Sequence, residues 1–316
     1  MSAVTIHDIA KRAKLNPSTV SRALRGDPRV REKTRTAILA MATEMNYVPN
    51  LNAKTLANGK TYRIAFLLNS LYNQIEQEPA MVANRLLDEK GYTAAVLLCS
   101  GSAQIFMQRL DQLAQKFCDG ALVIPNVYSA EALRKMESLP CPLVFIDRWP
   151  KETHLPVVTT DQKKAVKLLC EQMMNDDFDA VLVRFGKNNI VAEERLNSLK
   201  SLLKNSGKPL LYTEKDLQKW LKKHKHSSLC IIGDSILSPE KYMEFFPCGK
   251  PERLIAFGFD RAPSEAALFY DRIHICIQDF ESIGEKAVSV ILRLIEGEDL
   301  TGKIYRIPPI GIRTIK

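Results

Sequence analysis

TIHDIAKRAKLNPSTVSRALRGDPRV, residues 5–30, decides how the rest of the chain is read. Ile6, Ile9, Ala10 and Ala13 recur at i, i+3, i+4 and i+7, which places four apolar side chains on one helical face. Asn16 then offers a capping side chain, and Pro17 suits the first helical position, where its missing N–H leaves no bond unmade. Val20 and Leu24 face inward one turn apart, and Gly26-Asp27-Pro28 stops this second helix. A third helix carries Ala37, Ile38, Met41, Ala42 and Met45 on one stripe and ends near Tyr47-Val48-Pro49. Three short helices sharing a small core make a helix-turn-helix module.

The outward residues of the second helix are Pro17, Ser18, Thr19, Ser21, Arg22 and Arg25. Such a helix can enter a DNA major groove, where Ser and Thr reach bases or phosphates and Arg forks onto guanine. Lys11, Arg29, Arg31, Lys33 and Arg35 flank it and suit phosphates. Charge agrees with this reading. Residues 1–60 hold 11 Lys plus Arg against 4 Asp plus Glu, net +7, while the remaining 256 hold 34 against 32, net +2. A basic segment on a nearly neutral body points to a polyanion partner, and a disordered basic tail would lack the apolar periodicity. Beyond it, Asn50 can cap a short helix over residues 51–57 that Asn58-Gly59 ends. So short a helix is not stable alone in water, which fits a linker that folds against a partner.

With DIA, TVSRAL, KTR, MNYVPN and the LNAKTLANGK segment, residues 5–60 resemble the DNA-binding headpiece and hinge of the lactose-repressor/galactose-repressor (LacI/GalR) family of bacterial transcription regulators. The resemblance implies DNA contacts from Thr5, Pro17, Ser18, Thr19, Ser21, Arg22, Arg25 and Arg29, and from Asn50, Ala53 and Leu56 in the hinge. Leu56 would wedge between base steps in the minor groove, one from each subunit of a dimer. The chain departs from the family at Lys14, where Gly is usual in the turn between the first two helices.

From residue 62 the pattern changes. Apolar strands read RIAFLL (63–68), TAAVLLC (93–99), GALVIP (120–125), PLVFI (142–146), AVLVRF (180–185), LCII (229–232), RLIAFGF (253–259) and IHICIQ (273–278), with helical stretches between most of them. This alternation predicts parallel sheets covered by helices, in two Rossmann-like lobes. The expected fold is α/β: an N-terminal all-α helix-turn-helix headpiece (1–48), a hinge (49–61) and a body (62–316). The resemblance implies a periplasmic-binding-protein-like body with a ligand cleft. Lobe one takes about 62–160 and 279–307, and lobe two about 161–278 and 308–316.

Apolar strands end repeatedly in Asp, at Asp147, Asp161, Asp234 and Asp260. Ligands of doubly wound sheets bind at strand carboxyl ends, where carboxylates accept from sugar hydroxyls, although Asp after a strand is also a common helix cap. The resemblance implies effector contacts from Arg195, Asp234, Asp260 and Gln278, in a pocket altered by Gly233, Ser198, Arg261 and Lys163-Lys164. VFIDRWPKETHLPVVTTDQ is similar to the branch answering to phosphorylated sugars, and Arg148, Arg184, Lys187 and Arg195 could supply positive charge. Trp149 reads either as a sugar-stacking face or as core.

A second class of function is an acyl-transfer enzyme. IIGDSILS (231–238) is similar to the block of GDSL hydrolases, with Ser235 as nucleophile, His274 as base and Asp271 orienting it. The spacing argues against it, because only 36 residues separate Ser235 from Asp271 and His274 lies in an apolar strand. His224 and His226 read as a solvated basic loop, no Cys/His spacing fits zinc, and there is no P-loop or GxGxxG. Seven scattered cysteines without CxxC, an N-terminus without an apolar leader core, and no membrane-length apolar run point to a reducing cytoplasm. The expectation is a cytoplasmic, homodimeric regulator without cofactor or enzymatic activity. It would repress a carbohydrate-related operon, binding double-stranded operator DNA under control of a sugar or sugar phosphate.

Overall fold

The structure is a computed structural model that describes residues 4–48, 59–124, 129–186, 189–224, 226–247, 251–259, 262 and 264–315. The chain divides into two units, residues 1–61 and 62–316. The hinge calls at Asn50, Ala53 and Leu56 lie outside the described residues.

In the first unit, helices α1 (Ile6–Ala13), α2 (Pro17–Leu24) and α3 (Glu32–Glu44) enclose Ile9, Ala10, Val20, Ala23, Val30, Ile38 and Ala42. Ala37 is a correction: it is exposed, and Ile38, Met41, Ala42 and Met45 carry the inner stripe. A narrow stripe suffices, because α3 packs against only two short helices. Lys14 joins α1 to α2 at φ 52°, ψ 41°, so the turn keeps its left-handed backbone with a Cβ present, at a cost of about 1 kcal/mol. Arg35 braces the α2–α3 loop: its Nη2 donates to the Asp27 carbonyl at 2.9 Å and its Nη1 pairs with Glu32 at 2.8 Å.

The second unit carries two six-stranded sheets. The first holds β1 (Arg63–Leu68), β2 (Thr93–Leu98), β3 (Gly120–Val123), β4 (Leu143–Ile146), β5 (Val157–Thr160) and β11 (Ile304–Ile307), ordered β2-β1-β3-β4-β5-β11 and parallel throughout. The second holds β6 (Ala180–Arg184), β7 (Leu210–Leu211), β8 (Ser228–Gly233), β9 (Arg253–Phe259), β10 (Arg272–Ile277) and β12 (Gly311–Ile315), ordered β7-β6-β8-β9-β10-β12, with β12 alone antiparallel. The central strands are apolar on both faces because helices cover both. On the first sheet, Ile64 and Phe66 meet α4 (Gln74–Glu89) and α11 (Phe280–Ile295), while Ala65 and Leu67 meet α5 (Ala103–Ala114) and α6 (Ala130–Glu137). On the second, Val181 and Val183 meet α7 (Gln162–Met174) and α8 (Ile190–Leu203), while Ala180 and Leu182 meet α9 (Glu214–Lys223) and α10 (Pro239–Phe245).

Each lobe therefore repeats one strand order, with a switch point beside its first strand and a crevice at the strand carboxyl ends. The chain passes between the sheets after β5, after β10 and after β11. These passages bring the ends of β4 and β5 close to the starts of α7 and α8, and that junction holds the second site below.

Candidate functional site

Two sites emerge, one in each unit. On α2, Val20 and Ala23 turn inward, Pro17, Thr19 and Ser21 are half-buried, and Ser18, Arg22 and Arg25 are exposed. Asn16 Oδ1 accepts from the Ser18 N–H at 2.9 Å, which satisfies one otherwise unmatched donor of the helix and fixes where its polar face begins. Thr5 is held by α1: its N–H and hydroxyl donate to Asp8 at 2.8 and 2.7 Å, and those bonds keep the Asp8 carboxyl below its usual range. Arg29 grips Asp27 through Nε at 3.0 Å and Nη2 at 2.7 Å, and this pairing holds Asp27 far below the ordinary carboxylate range. A phosphate at Arg29 would have to compete with Asp27.

The second site lies where α7 and α8 begin. Asn189 caps α8 by accepting from Ala192 N–H at 2.8 Å, which sets the helix so that Arg195 turns inward. Arg195 is 2% exposed. Its Nε donates to Gln162 Oε1 at 2.8 Å, its Nη1 to Asp234 Oδ1 at 2.6 Å, and its guanidinium lies 3.5 Å from the Phe259 ring centroid. Asp234 Oδ2 in turn accepts from the Gly186 N–H at 2.6 Å, an approach that a side chain at 186 would crowd, since a Cβ there would lie 3.2 Å from that same oxygen.

Asp147 follows β4 in the left-handed region at φ 66°, held by its N–H to the Val158 carbonyl at 2.9 Å and by its own carbonyl, which accepts from Thr159 Oγ1 at 3.0 Å. Burial pushes its carboxyl pKa up, while the charges of Arg148 and Arg195 pull it down and Asp234 raises it further. Arg148 Nε lies 3.4 Å from Asp147 Oδ2, an ion pair without a hydrogen bond. Gln278 is buried and its Oε1 accepts from Thr160 Oγ1 at 2.6 Å, tying the end of β10 to the end of β5.

Asp161 is spent differently. Its carboxylate accepts from Lys164 N–H at 3.1 Å and caps α7, while the next residue, Gln162, turns into the site. Sequence reasoning passed over Gln162, although its place one step after a strand-ending Asp was the available signal. It also passed over Glu76, buried under the β1–α4 loop, where it accepts from the Asn69 and Ser70 N–H groups at 2.5 and 3.1 Å. Of the cations expected to hold a phosphate, Arg184 lies 4.6 Å from the centroid of the Phe245 ring. Lys187 and the Asp260 and Arg261 calls fall outside the described residues. Trp149 is 4% exposed and belongs to the lobe-one core.

The first turns of α8 also hold lobe one. Glu194 receives a two-pronged bond from Arg306 at 2.8 and 2.6 Å, Glu193 pairs with Lys151 at 2.5 Å, and Val191 packs into the lobe-one core. One short stretch, Val191–Arg195, therefore touches both the inner site and the opposite lobe.

The hydrolase constellation is not assembled. His274 is buried, its ring nitrogens face Thr314 Oγ1 at 2.9 Å and Asp176 Oδ2 at 3.3 Å, and its ring stacks on Phe257. Ser235 is exposed, and the Asp271 carboxylate accepts from Leu254 N–H at 2.7 Å instead of orienting the histidine. Among the described residues no group of three His, Cys, Asp or Glu is arranged for a metal, and no helix is long and apolar enough to cross a membrane.

Residues 5–50 match the family model described as bacterial regulatory proteins, lacI family. The ribose operon repressor of Halalkalibacterium halodurans is 24% identical over 318 residues, covering 96% of this chain and 94% of that relative. The ribose operon repressor of Bacillus subtilis is 25% identical, covering 96% and 95%. Among solved structures, the lac repressor dimer bound to operator and the anti-inducer ONPF superposes with a TM-score of 0.78 at 17% identity, over 100% of this chain and 98% of that one.

Proposed function

The chain belongs to the LacI/GalR family of bacterial transcription regulators, and from that premise we propose that it represses a carbohydrate-related operon as a cytoplasmic homodimer whose grip on DNA is set by a small sugar in the cleft of the body. It is a DNA-binding regulator and not an enzyme. The observation that carries the reading is the α2 face: Ser18, Arg22 and Arg25 stand outward from a helix whose inner side is fully used by the core of its own unit. One headpiece reads a half-site, so a symmetric operator calls for two chains. Hinge residues Asn50, Ala53 and Leu56 complete the DNA contacts in this proposal, with Leu56 as the minor-groove wedge.

For the effector, the support is chemical. Buried Asp147, Gln162 and Arg195 and part-exposed Asp234 bring donors and acceptors together. Arg195 and Glu194 are neighbours on α8, so a ligand that pulls on Arg195 acts on the same turn that holds lobe one through Arg306. Ligand binding then shifts the balance between two lobe arrangements, and operator affinity follows.

Fluorescence anisotropy on the DNA preceding its own gene, with a salt titration and a panel of sugars and sugar phosphates, tests this. Salt-steep, sequence-preferring binding that one compound shifts is the expected result. Equal affinity for random DNA would overturn the regulator reading of α2, and sequence-preferring binding that no compound shifts would overturn the effector.

A further inference from the structure

Three buried polar atoms near Arg195 lack a hydrogen-bond partner among the described residues: Gln162 Nε2, Arg195 Nη2 and Asp147 Oδ2. Their side chains are all but inaccessible, with Gln162 at 0%, Arg195 at 2% and Asp147 at 4% exposure. A buried donor or acceptor without a partner is unfavourable, so three close to one guanidinium are a standing penalty that a bound molecule would remove. The amide orientation of Gln162 is settled by its neighbour. Arg195 Nε can only donate, so the oxygen of Gln162 faces it at 2.8 Å and the NH2 group is the end left without a partner.

Resting on the effector reading above, we propose that Gln162 is a ligand-reading residue: its amide donates to a hydroxyl oxygen of an uncharged sugar whose neighbouring hydroxyls accept from Arg195 and donate to Asp147. A hydroxyl offers lone pairs to the two donors and a proton to the carboxylate, so adjacent hydroxyls satisfy all three atoms at once. The cations here are already engaged: Arg195 pairs with Asp234 at 2.6 Å and Arg148 with Asp147 at 3.4 Å, so a phosphate dianion would compete with carboxylates for both, whereas an uncharged hydroxyl would not.

The test uses the full-length protein with D-ribose, D-xylose, D-fructose, D-glucose and their phosphates, read by thermal shift and by release from or capture on operator DNA. The most effective sugar is then titrated against Gln162→Glu and Gln162→Met, each first shown to be folded by circular dichroism. Glu keeps an acceptor for Arg195 Nε and loses the amide donor; Met loses both. A ligand contact predicts that both variants weaken sugar binding at least tenfold. If Glu binds as wild type and only Met fails, Gln162 merely positions Arg195 and the proposal is overturned. A phosphorylated sugar bound far more tightly than its parent, with that advantage lost in Gln162→Glu, also overturns it. If no sugar or phosphate acts on the wild type, the effector reading itself falls and takes this inference with it.

Discussion

Asp147 shows how far one residue can depart from what folding alone would choose. It is a buried carboxylate in a left-handed backbone, with one oxygen unmatched by a hydrogen bond. Its folded pKa is raised, so the folded state holds the proton more tightly than the unfolded chain does. Its contribution to stability is therefore fully present below the ordinary carboxyl range and is lost as pH rises through the shifted value. Asp147→Asn is expected to melt at a higher temperature than wild type at neutral pH, with the difference closing as pH falls below about 4; a series of melts across pH checks it. The same change should abolish the sugar response. At the other site, Arg22 is an exposed guanidinium on the outer face of α2. Arg22→Ala should weaken operator binding by about 1–3 kcal/mol and random-DNA binding much less, measured by parallel anisotropy titrations. Equal losses would make Arg22 a phosphate contact only.

At the scale of elements, local rules account for the starts of most helices. Asn16, Asn73, Ser102, Ser129, Asp161, Asn189, Ser238 and Asp279 each cap the helix that follows with a side-chain acceptor. Packing between elements obeys a different constraint. Gly284 on α11 faces α4 so closely that a Cβ would lie 2.7 Å from Val82 Cβ and 3.0 Å from the Pro79 carbonyl. Gly284→Ala gains about 1 kcal/mol of helix propensity and loses more to overpacking against a backbone atom. The expected net destabilisation is about 1–2 kcal/mol, visible as a lower urea midpoint. The strands β7, β11 and β12 were not read from the sequence. β7 has two residues, and β11 and β12 are more exposed than the central strands, so none has the continuous apolar run that marks a buried strand.

For the whole molecule, charge and fold divide the work between two units. The first 60 residues carry 11 Lys plus Arg against 4 Asp plus Glu, while the rest is nearly balanced. DNA affinity should therefore fall linearly on a log–log plot against salt, with a slope of about −0.9 for each phosphate contacted. The sugar-induced shift should be less salt-sensitive, since an uncharged sugar brings no charge to the cleft. Anisotropy at four salt concentrations with and without the sugar separates the two. A flat salt dependence would contradict the phosphate contacts assigned to the headpiece.

The sequence by itself determined the helix-turn-helix, because its signals are local: apolar spacing within a turn or two, an Asn-Pro helix start and a Gly-Asp-Pro stop. It also determined the α/β class, because strands buried on both faces must be apolar throughout. Only the tertiary structure showed what the described strand-end carboxylates bond to. Asp161 looks like Asp147 and Asp234 along the chain, yet it caps α7, while Gln162 beside it turns inward to Arg195. The physical reason is that capping and ligand contact use the same atoms in the same local setting. What separates them is where the start of α8 lies across from β5, a relation between residues more than thirty positions apart that no local pattern encodes.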